Sequence, residues 1–146
     1  MRNPFSNQKE KAMKLFLDEH LTRLLANGAA TATALAAGQD PPDHVPVVKL
    51  FTPDGAATWL LSEIDPDEPD IAFGLCDLGM ECAELGSISL SELRSIRGRL
   101  GLPVERERGF TPAYPLIVYA RAGWKANRIV TDRASLDAAA KEGGEA

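Results

Sequence analysis

The stretch from Val45 to Ser89 constrains the fold of this chain more than any other. It carries four strand-like runs: "VPVVKLF" (Val45–Phe51), "ATWLLSEI" (Ala57–Ile64), "DIAFGLCD" (Asp70–Asp77) and "ELGSIS" (Glu84–Ser89). Most are rich in the β-branched and aromatic residues that suit a pleated, half-buried surface. Turn-forming segments part them. "TPDG" sets Pro53 and Gly55 at the second and fourth positions of a type I turn. Asp65 to Pro69 makes a five-residue loop, and "LGMECA" makes the next connection. Three short connections in a row favour an antiparallel meander, because parallel pairs need long crossovers. In the third run Ile71, Phe73 and Leu75 alternate with Ala72, Gly74 and Cys76. Period two sends these sets to opposite faces. The large set is expected to fill the core, and the small set to admit a close neighbour, the first helix.

Helical patterns flank the meander. Met13, Phe16, Leu17, Leu21, Leu24 and Leu25 recur at i, i+3, i+4 spacing, which predicts a helix from Gln8 to Asn27. Gly28 fits as its left-handed terminator. Residues 29–43 read as a linker with room for a helical turn, closed by Gly38 and the Pro41–Pro42 pair. After the fourth strand, "SLSE" has the form of a capping box, Ser89 with Glu92, opening a helix with Leu90, Leu93 and Ile96 as its apolar stripe. "LPVERER" is either a short edge strand or an extended tail. "YPLIVYARAGWKANRIV" reads as strand through Leu116–Tyr119 or as helix from Pro115. Residues 134–146 read as a flexible tail. The expected fold is α+β: an antiparallel meander of four to five strands, an N-terminal helix, a helix after the fourth strand and a C-terminal helix, with the helices on one face. A chain of 146 residues fits a single domain, here 1–133, able to bury about 68–70% of its unfolded surface.

No apolar run approaches the roughly 18–20 residues of a membrane span. The N-terminus lacks the apolar core of an export signal, so the expected compartment is the cytoplasm, with Cys76 and Cys82 as reduced thiols. Charge is unevenly distributed. Residues 29–92 hold twelve acids and one base, Lys49, whereas residues 93–133 hold nine bases and three acids. Either the blocks neutralise each other across the surface, or the protein is bipolar with a partner at one pole.

"SEIDPDEPD", Ser62 to Asp70, concentrates the acids Glu63, Asp65, Asp67, Glu68 and Asp70 around two prolines. It fails as a calcium loop. Counted from Asp65, Pro69 stands at position five and Asp70 at the sixth position, where glycine is required. Soft-metal ligands are Cys76, Cys82, His20 and His44. The Cys-x5-Cys interval is wider than a zinc knuckle, and no His pair has ligand spacing. No G-x-S-x-G elbow occurs, and the serines of "ELGSISLSE" have strand and capping roles. Gly74 and Gly79 have phosphate-loop spacing, but Met80 and Glu81 follow where Lys and Ser/Thr are needed. The sequence therefore nominates no catalytic residue, metal or cofactor. Arg94, Arg97, Arg99, Arg106 and Arg108 form a basic segment, with Glu105 and Glu107 alternating against the last two. An arginine face there could meet phosphates, or it could answer the acidic loop with salt bridges.

Taken together, "PVVKLFTPDGAATWLLSEIDPDEPDIAFGLCDLG", "ELGSISLSEL" and "SIRGRLGLPVERE" resemble, in this order and spacing, the bacterial family known as domain of unknown function 2958. The resemblance runs from about Leu15 to Val130 and is most specific over Val47 to Glu107. This chain has Ser87 where the family pattern has an aromatic, and "ERERGF" where it has residues like "ERDLHF". Relatives look helical where this chain has "YPLIVYARAGWKANRIV", which implies a helix there. The resemblance implies a setting, small cytoplasmic products of plasmids and conjugative elements, and no activity.

The functional expectation is a non-enzymatic accessory protein that works through a protein partner, with no membrane involved. The alternatives are a nucleic-acid-binding module using residues 94–108, an acidic mimic that occupies a DNA-binding protein, and an enzyme whose site has no recognisable motif. Candidate interaction residues are Glu63, Asp65, Asp67, Glu68, Asp70, Arg94, Arg97, Arg106 and Arg108.

Overall fold

The computed structural model describes residues 15–144. The elements in chain order are α1 (Asp18–Ala36), β1 (Val48–Phe51), β2 (Thr58–Ile64), β3 (Ile71–Asp77), β4 (Ala83–Ser89), α2 (Leu90–Ser95), β5 (Glu105–Arg106), α3 (Leu116–Ala126) and α4 (Arg133–Gly144). The five strands form one antiparallel sheet in the order β4-β3-β2-β1-β5. The fold is α+β, as the strand and turn pattern predicts. No helix among the described residues is long and apolar enough to cross a membrane.

Helices cover both faces of the sheet, not one. On the first face Leu24 of α1 and Leu90 and Leu93 of α2 pack with Val48, Leu50, Trp59, Leu61 and Ala72. On the second, Leu116, Tyr119 and Ala120 of α3 and Leu136 and Ala139 of α4 pack with Leu60 and Leu75. Central strand β2 is therefore buried on both sides, which explains why "TWLLSEI" shows no clean alternation. Each fully buried leucine here contributes about 1.5–3 kcal/mol of burial free energy.

The first helix runs Asp18–Ala36, so the expected stop at Gly28 is wrong, and the linker-like segment 29–43 is helical through Ala36. The first turns of the expected helix, Gln8 to Lys14, lie outside the described residues. Gly28 is a buried interior residue. Its role is close approach: α1 fills the space beside the end of β2 that the shorter β1 leaves vacant. There the Asn27 side-chain amide donates to the Ser62 carbonyl at 2.9 Å. The helix ends at the next glycine. Gly38, at φ +69°, forms a Schellman motif in which Gln39 N–H donates to Ala34 O and Gly38 N–H to Leu35 O.

The large-residue face expected of β3 is only partly realised. Leu75 lies in the core, but Phe73 is 37% exposed. The small set behaves as expected: Ala72 is buried and Cys76 packs against the first cluster. A register shift between Leu61 and Glu63 bulges the chain at Ser62 and pairs Glu63 with Phe73. Phe73 pairs in turn with Ser87. The row Glu63–Phe73–Ser87, half-buried at Glu63 and exposed at Phe73 and Ser87, thus lies on the second face, beyond the rows that α3 and α4 cover.

The remaining segments resolve as follows. Ser89 caps α2, its hydroxyl accepting from Glu92 N–H at 3.3 Å. The "LPVERER" segment supplies the two-residue edge strand β5, paired with Leu50 and Phe51. Residues 116–126 are helix, with Asn127 as the left-handed cap. The expected flexible tail is also corrected: α4 occupies most of it, and Leu136 and Ala139 are buried against α3.

Candidate functional site

A groove of about 410 Å³ opens at the end of the sheet that carries the acidic loop. The C-terminal half of α1 lines it with Thr31, Ala32 and Leu35, and the following segment adds Pro41 and Pro42. The row Glu63, Phe73 and Ser87 lines it too, and Asp65 and Asp67 stand at its acidic margin. The groove thus pairs apolar and aromatic surface with three carboxylates.

Glu63 is held in place. The Thr31 hydroxyl donates to Glu63 Oε1 at 3.1 Å and lies 3.1 Å from His44 Nε2. The single hydroxyl hydrogen goes to the carboxylate, so Nε2–H of His44 is the group that donates to Thr31. The hydroxyl thus links the two side chains, donating to Glu63 and accepting from His44. The chain His44–Thr31–Glu63 ties α1, the proline segment and β2 together. His44 O also accepts the Leu116 N–H, and Asp43 Oδ1 the Ile117 N–H, so the same segment starts α3. The other histidine, His20, accepts the Leu17 N–H on Nδ1 at the start of α1. Burial and the nearby Arg106 push its pKa down from the ordinary 6.5.

The acids of "SEIDPDEPD" divide by role. Asp65 accepts the Asp67 N–H at 2.9 Å and shapes the loop. Asp70 is the principal anchor of α2: its carboxylate accepts from the Ser91 N–H and from the hydroxyls of Ser89 and Ser91. The Ser91 and then the Ser89 hydroxyl hold its carboxyl below the ordinary 3.8. No hydrogen bond or ion pair among the described residues engages the side chains of Asp67 and Glu68, which are exposed. Among the described residues, no three His, Cys, Asp or Glu side chains converge to hold a metal ion.

Sequence reasoning singled out Glu63, Asp65 and Asp67, which the fold brings to one groove. It missed Phe73, Thr31 and Leu35, because the bulge at Ser62 and the longer α1 bring them together there. The acidic block is not one surface. Glu63 to Asp70 lie at one end of β3, while Asp54, Asp77, Glu81 and Glu84 lie at the other, about 20 Å away along the strand. Several of these acids are structural. Asp54 Oδ2 accepts the Leu100 and Leu102 N–H groups at 2.7 and 3.2 Å. Asp77 accepts from Gly79 N–H and from Ile129 N–H, the latter at 3.0 Å. An acidic mimic would need these acids as one contiguous surface.

Two of the arginines are held by backbone carbonyls. Arg97 donates to the carbonyls of its own segment, Arg94 and Ile96. Arg106 donates to Leu15 O at 2.9 Å. Arg94 is half-buried, and Arg108 is exposed. No salt bridge among the described residues joins these arginines to the acidic loop; the pair in this region is Lys49 with Glu107 at 2.8 Å.

Among curated proteins and among solved structures, nothing matches this chain. A family model does, that of a protein of unknown function (DUF2958), over residues 15–130. That span takes in α1, the whole sheet, the groove and α3, and the chain belongs to the DUF2958 family.

Proposed function

We propose that this protein is a binding module whose groove takes a basic segment of a protein partner. One observation carries the reading: Phe73 stands exposed in a groove bordered by Glu63, Asp65 and Asp67. An aromatic face beside carboxylates suits an arginine or lysine side chain, whose apolar stem packs on the ring while its charge meets the acids. Thr31 and His44 fix Glu63 in advance, which lowers the ordering cost of binding. The work of the protein is recognition, not catalysis. The family resemblance supports an accessory role in plasmids and conjugative elements, where such a partner would belong to the DNA-handling machinery.

Nucleic acid is the less favoured ligand. The guanidinium groups of Arg97 and Arg106 are engaged by backbone carbonyls, and the groove that stands open is acidic.

The test uses short peptides carrying arginine or lysine, their glutamate counterparts, and a duplex DNA probe. Wild-type protein is compared with Glu63→Gln/Asp67→Asn and with Arg94→Ala/Arg97→Ala. Selective binding of basic peptides, weakened tenfold or more by the first pair, is the expected result. Equal binding of acidic peptides would sink the reading. So would DNA binding that falls with salt and is lost in the second pair.

A further inference from the structure

We propose that β4 is a docking edge: a basic, extended segment of the partner adds to it as a sixth strand and sends a side chain past Ser87 into the Phe73 groove. This rests on the groove reading above and states how the partner is held.

The two edges of the sheet are treated differently. β5 is two residues long, and both of them, Glu105 and Arg106, are charged. Short length and charge are common devices that keep an edge from recruiting another strand. β4 has neither device. It runs seven residues, "AELGSIS", with Glu84 its only charge and no proline. It pairs with β3 at seven consecutive positions without a bulge. Among the described residues, no backbone hydrogen bond reaches it from outside the sheet. Half of its N–H and C=O groups therefore point away from β3, the arrangement that strand-adding ligands use.

The edge and the groove are continuous. Ser87, Phe73 and Glu63 sit side by side on neighbouring strands. Strands lie about 4.8 Å apart, so a residue opposite Ser87 on an added strand stands about 10 Å from Phe73 and about 14 Å from Glu63. An arginine or lysine there crosses the small Ser87 side chain to reach Phe73 and the carboxylates at the groove margin. Successive residues alternate faces, so a strand in this register carries basic residues at alternate positions.

Charge favours such a segment over a second copy of this chain. Antiparallel pairing of two β4 strands about Gly86 sets Ser89 of one opposite Ala83 of the other. That brings the acidic loop of each copy beside Glu81 and Glu84 of its neighbour. Those groups repel each other, whereas they attract a basic strand.

The test begins with a display library of short random peptides, panned against the whole protein. Four results are expected. Enriched peptides carry Arg or Lys at alternate positions. With the best binder present, alternate backbone amides of residues 83–89 exchange more slowly. N-methylation of the binder at alternate nitrogens weakens binding tenfold or more in one register and spares it in the other. Ser87→Trp, at an exposed position, weakens binding without changing the melting temperature. If β4 amides exchange as before and both N-methylated forms bind like the parent, strand addition is overturned. The groove reading then stands only if Glu63→Gln/Asp67→Asn still weakens binding. Failure to enrich basic peptides overturns both. Concentration-dependent protection of β4 without peptide, with a dimer mass in sedimentation, overturns the basic partner in favour of a second copy.

Discussion

Gly28 and the carbonyl of Ile64 are pressed so close that a β-carbon on Gly28 would lie 1.8 Å from the carbonyl oxygen. The contact seats α1 against the end of β2, and with it the Thr31 hydroxyl that holds Glu63. Helix propensity alone predicts that Gly28→Ala stabilises the protein by about 1 kcal/mol. The packing predicts the reverse, a loss of about 1–3 kcal/mol, because backbone atoms must move. Gly86→Ala is the control, since nothing lies within 4 Å of its β-carbon position. Urea denaturation of the two variants decides between propensity and packing.

Asp70 predicts a pH dependence. Its carboxyl titrates below the ordinary 3.8 because the Ser91 and Ser89 hydroxyls hydrogen-bond the charged form. A depressed value in the folded state means that the stabilisation is present above the unfolded value. It is lost as pH falls through the folded value. Asp70→Asn is therefore expected to melt lower than wild type near neutral pH. The gap should close as pH drops below 3.8, where wild type loses the same interaction. Thermal melts across that range read it directly.

Leu136 predicts that the C-terminal helix is part of the core. It is 2% exposed and packs with α3. Leu136→Ala should cost about 2–5 kcal/mol in chemical denaturation, the range for truncating a buried leucine. A flexible tail would give no change.

The cysteines should differ in reactivity. The Cys82 thiol donates to Glu84 Oε1 at 3.3 Å, and this hydrogen bond to the carboxylate pushes its pKa up from 9.0. Burial raises that of Cys76, which is half-buried. Because the thiolate is the reactive form, exposed Cys82 should label more slowly than an ordinary free cysteine, and Cys76 more slowly still. Glu84→Gln removes the carboxylate and should speed labelling of Cys82 severalfold. Stopped-flow thiol labelling in mildly alkaline buffer, with Cys76→Ala and Cys82→Ala as references, measures both rates.

Local signals were legible in the sequence because they depend on neighbours along the chain. Strand periods, the "TPDG" turn, the Ser89 cap and the charged β5 edge all interact within a few residues, and each appears where its pattern sits. Gly28 was ambiguous, since a glycine that ends a helix and one that admits a carbonyl look the same in one dimension. The α4 stripe of Leu136 and Ala139 is too sparse to announce a helix without α3 beside it.

The sequence by itself determined the antiparallel meander, because alternating side chains and short turns leave few other ways to satisfy the backbone. It also determined that acids would crowd the loop after β2. Only the tertiary structure decided what those acids do. The bulge at Ser62 turned Glu63 onto the same row as exposed Phe73, and the close approach of α1 at Gly28 walled that row into a groove. Asp54, Asp70 and Asp77 were drawn off to hold distant backbone N–H groups. Those contacts join residues far apart in the chain, and their energies depend on distances that only packing sets.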